Sequence, residues 1–236
     1  KQIFDSASSN NSAYSAALLA WRKKFQGDIG IYSYYRKYGW RSLPNIIPHY
    51  MQQDLKWYAQ TPVQGISSYA EPGDWFTYEL NYYVLGHLAW DPDSNVDSLI
   101  NEFCRTRYGS GWEMAKAVYA ALENTVRFEG NIPYTSLKPA QQIAEAEKKL
   151  AALRNAVASL RPSDFVQHEA NFSRLLLLLD YAIYDLQIQA TRSSAPASAN
   201  EKVEQMVRFL EANQHRGVFI LPGKNALLNF KKRYGL

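Results

Sequence analysis

The chain has 236 residues, 47% of them hydrophobic and 20% charged, with a formal net charge of +4. That is ample apolar material for one large domain or two small ones. The longest purely aliphatic run, Leu175 to Leu179, is bounded by Arg174 and Asp180, far short of the ~20 residues of a membrane span. Basic residues alternate with acids along stretches such as Glu145 to Arg154, a pattern of solvated helix faces and not of a nucleic-acid stripe.

The first 90 residues alternate short apolar runs with helical patterns, the signature of strand–helix units feeding a parallel sheet. Three such units are predicted. Ile3-Phe4 leads through a polar loop, Asp5 to Asn11, into a helix carrying Tyr14, Leu18, Trp21 and Phe25. Ile29 to Tyr32 is the second strand, followed by a loop with Tyr34, Tyr35, Arg36 and Trp40, then a helix from about Ile47 to Ala59. Val63 to Tyr69 is the third strand, its loop carries Glu71-Pro-Gly-Asp74, and a helix runs from Trp75 to Ala89. In each unit the residues with chemistry fall after the strand, where a (β/α)₈ barrel builds its active site. The expected fold class is therefore α/β plus all-α: the C-terminal part of a (β/α)₈ TIM barrel followed by a helical bundle. The start at Lys1-Gln-Ile-Phe reads as entry into a strand of a longer chain. A preceding barrel segment or an oligomer partner is expected to cover the open sheet edge.

After Trp90-Asp-Pro92 the pattern is helical. Asp97 to Tyr108 and Trp112 to Arg127 are amphipathic, and a Pro- and Asn-bearing break lies at Asn131 to Thr135. Ile143, Leu150, Val157 and Ala146, Leu153, Leu160 recur every seven residues, and Phe172, Leu179, Leu186 with Leu176, Ile183, Ala190 repeat the pattern. Two long antiparallel helices joined at Arg161-Pro162-Ser163 are the simplest solution. Ser193 to Ala199 reads as a small-residue linker, with Asn200 capping a third helix through Val203, Val207 and Leu210. The predicted domains are 1–92 (barrel units), 93–130 (a helical extension) and 131–236 (a helical bundle).

Cys104 is the single cysteine, so neither an intrachain disulfide nor a cysteine-based zinc site is available. His49, His87, His168 and His215 share no ligand spacing, and there is no Gly-rich phosphate loop. No metal and no cofactor is expected. The chemistry lies elsewhere. Ten of the 17 tyrosines and four of the six tryptophans fall between Tyr32 and Trp90. Flat rings with polar tips suit the apolar faces of pyranose sugars, although aromatic residues at helical spacing usually serve a core. Glu71, between Tyr69 and Trp75 and just before a Pro-Gly turn, is the carboxylate best placed to accept hydrogen bonds from a sugar. Asp74 is a further candidate, or a cap for the following helix. Tyr34, Tyr35, Arg36 and Arg41 could engage an acidic sugar through the guanidinium fork, or pair with surface acids.

Gly65 through Glu71, Leu88-Ala-Trp-Asp-Pro92, and Asp97 through Gly109 together resemble a bacterial family called domain of unknown function 4838, and in pattern the barrel end of family 20 glycoside hydrolases. The resemblance covers about Asp5 to Glu123. It implies a carbohydrate-active barrel in which Glu71 and the strand-end acid Asp5 are the candidate catalytic residues. Tyr69, Trp75, Tyr34, Tyr35, Arg36, Trp40 and Asp74 are the candidate substrate-binding residues. Family 20 takes its catalytic acid and neighbouring Asp from a mid-barrel strand that has no counterpart in this sequence. The expected function is a glycoside hydrolase acting on a polysaccharide or glycoconjugate, with an extracellular or periplasmic location. A non-catalytic carbohydrate-binding or protein-interaction module is the alternative.

Overall fold

The computed structural model describes residues 9–61, 63–129, 132–133, 140–160 and 167–236. Ile3-Phe4, Asp5 and Arg161-Pro162-Ser163 lie outside them. The chain divides into two compact units. The first comprises the described residues of Lys1–Arg36, Ile47–Ala70 and Leu80–Ile100, and the second Lys37–Ile46, Glu71–Glu79 and the described residues of Asn101–Leu236.

The first unit holds α1 (Ser9–Lys24), β1 (Gly30–Ser33), α2 (Pro48–Gln60) and β2 (Gly65–Ser68). β1 and β2 pair in parallel with Gly30 opposite Gly65 and Ser33 opposite Ser68. The Ile29 N–H also donates to Gln64 Oε1 at 2.8 Å, which ties the two strand starts together. Ile29 and Ile31 alternate inward and pack with Leu18 of α1 and Tyr58 of α2. Of the apolar residues assigned to the first helix, Leu18 is buried, Tyr14 and Trp21 are exposed, and Phe25, one residue past its end, is exposed.

Here the expectation of a barrel fails. Among the described residues the sheet structure is the two-stranded β1–β2 pair and a two-residue antiparallel pairing of β3 (Phe128–Glu129) with β4 (Ile132–Pro133). The chain is mostly α-helical. The two four-residue strands and α2 between them make one βαβ unit, and among the described residues no further strand joins that sheet. The barrel expectation rests on strand–helix alternation, and although two of its apolar runs do become β1 and β2, a run of that length does not state how many strands will pair.

Helices α3 (Trp75–Trp90) and α4 (Val96–Tyr108) contribute to both units by their residue ranges. The second unit also contains α5 (Trp112–Thr125), α6 (Ala140–Ala158), α7 (Glu169–Thr191), α8 (Pro196–Asn213) and α9 (Ala226–Tyr234). One row of the heptad reading on each helix is buried and the other is not: Ala146, Leu153, Leu160, Leu176 and Ile183 are half-buried and Ala190 is exposed. Ile143, Leu150 and Val157 of α6 are buried, as are Phe172, Leu179 and Leu186 of α7. Arg154 pairs with Asp180 at 2.9 Å and Gln187 donates to Glu147 at 2.8 Å, so the partner's number falls as the other's rises and the helices run antiparallel. α7 packs against α5, α6 and α8, which explains why most of its apolar residues are buried. α8 begins earlier than predicted, with Pro196 in the first turn, where a missing N–H costs nothing. Asn200 is inside that helix, donating to the Pro196 carbonyl, and does not cap it.

Candidate functional site

In the first unit, strand geometry assembles the tyrosines. Successive strand residues point to opposite faces, so with Ile31 inward Tyr32 points outward. Tyr34, two residues on, lies beside it. Their rings meet edge-to-face with centroids 5.1 Å apart. Because Ser33 and Ser68 are in register, the next residues on the two strands, Tyr34 and Tyr69, also become neighbours, with centroids 6.0 Å apart. The Tyr69 N–H continues the ladder by donating to the Ser33 carbonyl at 3.1 Å. Arg36 places its guanidinium carbon 5.3 Å from the centre of the Tyr69 ring.

Exposure divides this group. Tyr32 and Tyr34 are 59% and 51% accessible, Tyr69 is half-buried, and Arg36 is buried at 1%. The exposed pair therefore forms the surface that a ligand can touch, with Arg36 supporting Tyr69 from within by a cation–π contact. Tyr35 is buried on the other parity of the strand. Its hydroxyl points to Asp54 Oδ2 at 3.5 Å, and burial first, then the Asp54 charge, raises its pKa.

Glu71, Asp74, Trp75 and Trp40 belong to the second unit. Glu71 is half-buried in extended conformation before the turn Pro72–Asp74, and its side chain makes no capping hydrogen bond to that turn. Trp75 opens α3 and is 44% exposed. Asp74 is fully buried and accepts a 2.8 Å hydrogen bond from Ser42 Oγ. Trp40 is buried, stacked on Phe128 with centroids 5.4 Å apart.

The loop carrying Trp40 is held from several sides. Arg41 and Ser42 both have positive φ, 55° and 59°, a region costly for any side chain but glycine. The Tyr181 hydroxyl donates to the Arg41 carbonyl at 2.7 Å, and Tyr78 donates to that of Leu43 at 2.9 Å. Arg233 Nη1 donates to the Trp40 carbonyl at 3.1 Å, and the Ile220 N–H donates to Ser42 Oγ at 2.9 Å. Asp74 is thus one clamp in a set that over-determines a strained loop.

Two features were not anticipated from sequence. Tyr32 was read only as a strand end, although the inward Ile31 beside it is a period-two signal that could have placed its ring outward. Glu79 pairs with Arg107 at 2.9 Å, and desolvation raises its pKa against the opposing influence of Arg107. A separation of 28 positions between those partners leaves no local signal. Among the described residues no group of His, Cys, Asp and Glu could hold a metal ion, and no helix is long and apolar enough to cross a membrane.

No curated protein and no solved structure matches the chain. A family model does match. Residues 3–119, which include the tyrosine group, Glu71 and Arg107, match the family described as Domain of unknown function (DUF4838).

Proposed function

We propose that the chain binds carbohydrate through the tyrosine surface at the C-terminal ends of β1 and β2, in a protein that acts on glycosidic bonds. The observation that carries this is the exposure of Tyr32 and Tyr34 while both rings are fixed in mutual contact. A pre-positioned aromatic platform loses little side-chain entropy when a pyranose face settles on it, and its phenol groups add polar edges that suit ring hydroxyls. In the second unit, Glu71 is the carboxylate to test as a charged acceptor for sugar hydroxyls.

Hydrolysis asks for more than a platform. Most glycosidases use two carboxyl groups, ~5–5.5 Å apart in retaining enzymes and ~6.5–9.5 Å in inverting ones. Asp5, the proposed partner of Glu71, lies outside the described residues. Burial of Asp74 against Ser42 favours a second reading, in which the chain holds a glycan without cleaving it.

Calorimetric titration of a panel of neutral oligosaccharides against wild type and Tyr34→Ala tests the platform. Binding that weakens about tenfold in the variant, near 1.4 kcal/mol, with an unchanged melting temperature is the expected result. Equal affinities would move the site away from these strands. Turnover of aryl glycosides by the same samples separates an enzyme from a binding module.

A further inference from the structure

Around Phe76, in the second unit, arginines outnumber the acids that neutralise them. Arg174 of α7 lies flat over the Phe76 ring, its guanidinium carbon 3.6 Å from the centroid, and Arg107 of α4 approaches the same ring at 5.9 Å. Arg107 Nη2 pairs with Glu79 Oε2 at 2.9 Å, and Glu79 is 11% exposed. Arg216, in the turn after α8, donates to Ser173 Oγ at 2.7 Å and is near enough to Arg174 for their charges to repel. Glu79 thus faces Arg107 and Arg174, and Arg216 adds a third positive charge beside Arg174. Burial lowers the pKa of Arg174, Arg107 and Arg216 lower it further, and Glu79 opposes them.

The donors of this group are not consumed. Arg107 Nε is buried without a hydrogen-bond partner among the described residues, and Arg174 Nη1 reaches Asn171 Oδ1 only at 3.5 Å. Stacking on Phe76 occupies the face of the Arg174 guanidinium and leaves its N–H edge available. All three arginines are half-buried, so solvent and solutes reach them. Converging guanidinium groups in a partly desolvated setting repel one another, and an anion between them reverses the sign of that interaction.

We propose that Arg107, Arg174 and Arg216, grouped about Phe76, form a binding site for an oxyanion, a sulfate, phosphate or carboxylate group either free or carried on an acidic saccharide. Glu79 fixes Arg107 and limits the site to one such group. The proposal is independent of the tyrosine surface.

Thermal melting and calorimetry with sodium sulfate, sodium phosphate and a sulfated disaccharide, against sodium chloride at equal ionic strength, test it. Wild type is expected to melt higher in the oxyanions than in chloride, because ligand that binds the folded chain stabilises it. Arg174→Gln and Arg216→Gln should each weaken binding by about tenfold or more, the effect of losing a hydrogen bond to a charged group. Arg216→Gln removes a turn residue outside the helices and keeps the test decisive if Arg174→Gln fails to fold. Tighter binding of the disaccharide than of sulfate identifies an acidic saccharide as the source, and equal binding identifies the free anion. No preference over chloride, or oxyanion binding unchanged in folded Arg216→Gln, overturns the proposal. Tyr34→Ala should leave sulfate binding intact, which keeps this outcome separate from that of the carbohydrate surface.

Discussion

Replacing Ser42 or Asp74 should destabilise the second unit far more than two small polar residues would suggest. Ser42 is fully buried at φ 59°, donates to Asp74 Oδ2 at 2.8 Å and accepts the Ile220 N–H at 2.9 Å. Ser42→Ala keeps the left-handed backbone, deletes both hydrogen bonds and leaves the half-buried Ile220 N–H short of an acceptor. A hydrogen bond to a charged group contributes ~1.5–3 kcal/mol, and an unsatisfied buried donor costs ~1–3 kcal/mol. The expected total is about 3–4 kcal/mol, less than the full sum because the loop can relax. Ser42→Gly loses the same bonds but relieves a backbone cost of ~1–2 kcal/mol, so it should be the more stable of the two. Asp74→Asn retains an acceptor and should be milder than Asp74→Ala. Urea unfolding followed by circular dichroism gives the four free energies of the Ser42→Ala, Asp74→Ala cycle, with an expected coupling of ~1.5 kcal/mol or more. A coupling below about 0.5 kcal/mol, or a Ser42→Gly variant less stable than Ser42→Ala, would refute the clamp.

Glu71→Gln should weaken saccharide binding by ~1.5–3 kcal/mol and leave folding intact if Glu71 is a charged acceptor. Equal affinity with a lowered melting temperature would leave it a structural residue. Leu179 is fully buried on α7, so Leu179→Ala should cost ~2–5 kcal/mol in denaturant unfolding. Arg154→Ala breaks a partly exposed pair with Asp180 and should cost less than ~1 kcal/mol in the same assay. Burial pushes the Cys104 thiol from 9.0 up to about 12. Between those values the folded chain keeps a proton that the unfolded chain has released, so this group's stabilisation falls as pH rises. Cys104→Ala should flatten part of the alkaline decline in stability, and the native thiol should resist thiolate-seeking reagents at pH 8 that label the unfolded chain.

Local periodicity made the helical half legible. The seven-residue spacing of Ile143, Leu150 and Val157 against Phe172, Leu179 and Leu186 is itself the packing face of two antiparallel helices, because residues a turn or two apart share one side of a helix. Helix limits at Trp75, Tyr108 and Trp112 were read correctly for the same reason. The aromatic excess near Tyr34 and Tyr69 was visible as composition. Their contact was not, since it depends on the parallel register of strands 35 residues apart. Fold class lay beyond the sequence because an apolar run of four to seven residues states neither how many strands will pair nor whether a sheet will grow. The Ser42–Asp74 clamp and the arginine group about Phe76 depended entirely on tertiary structure. Their members come from segments 28 to 178 residues apart, and charge or hydrogen-bond complementarity at that separation leaves no periodic trace in the chain.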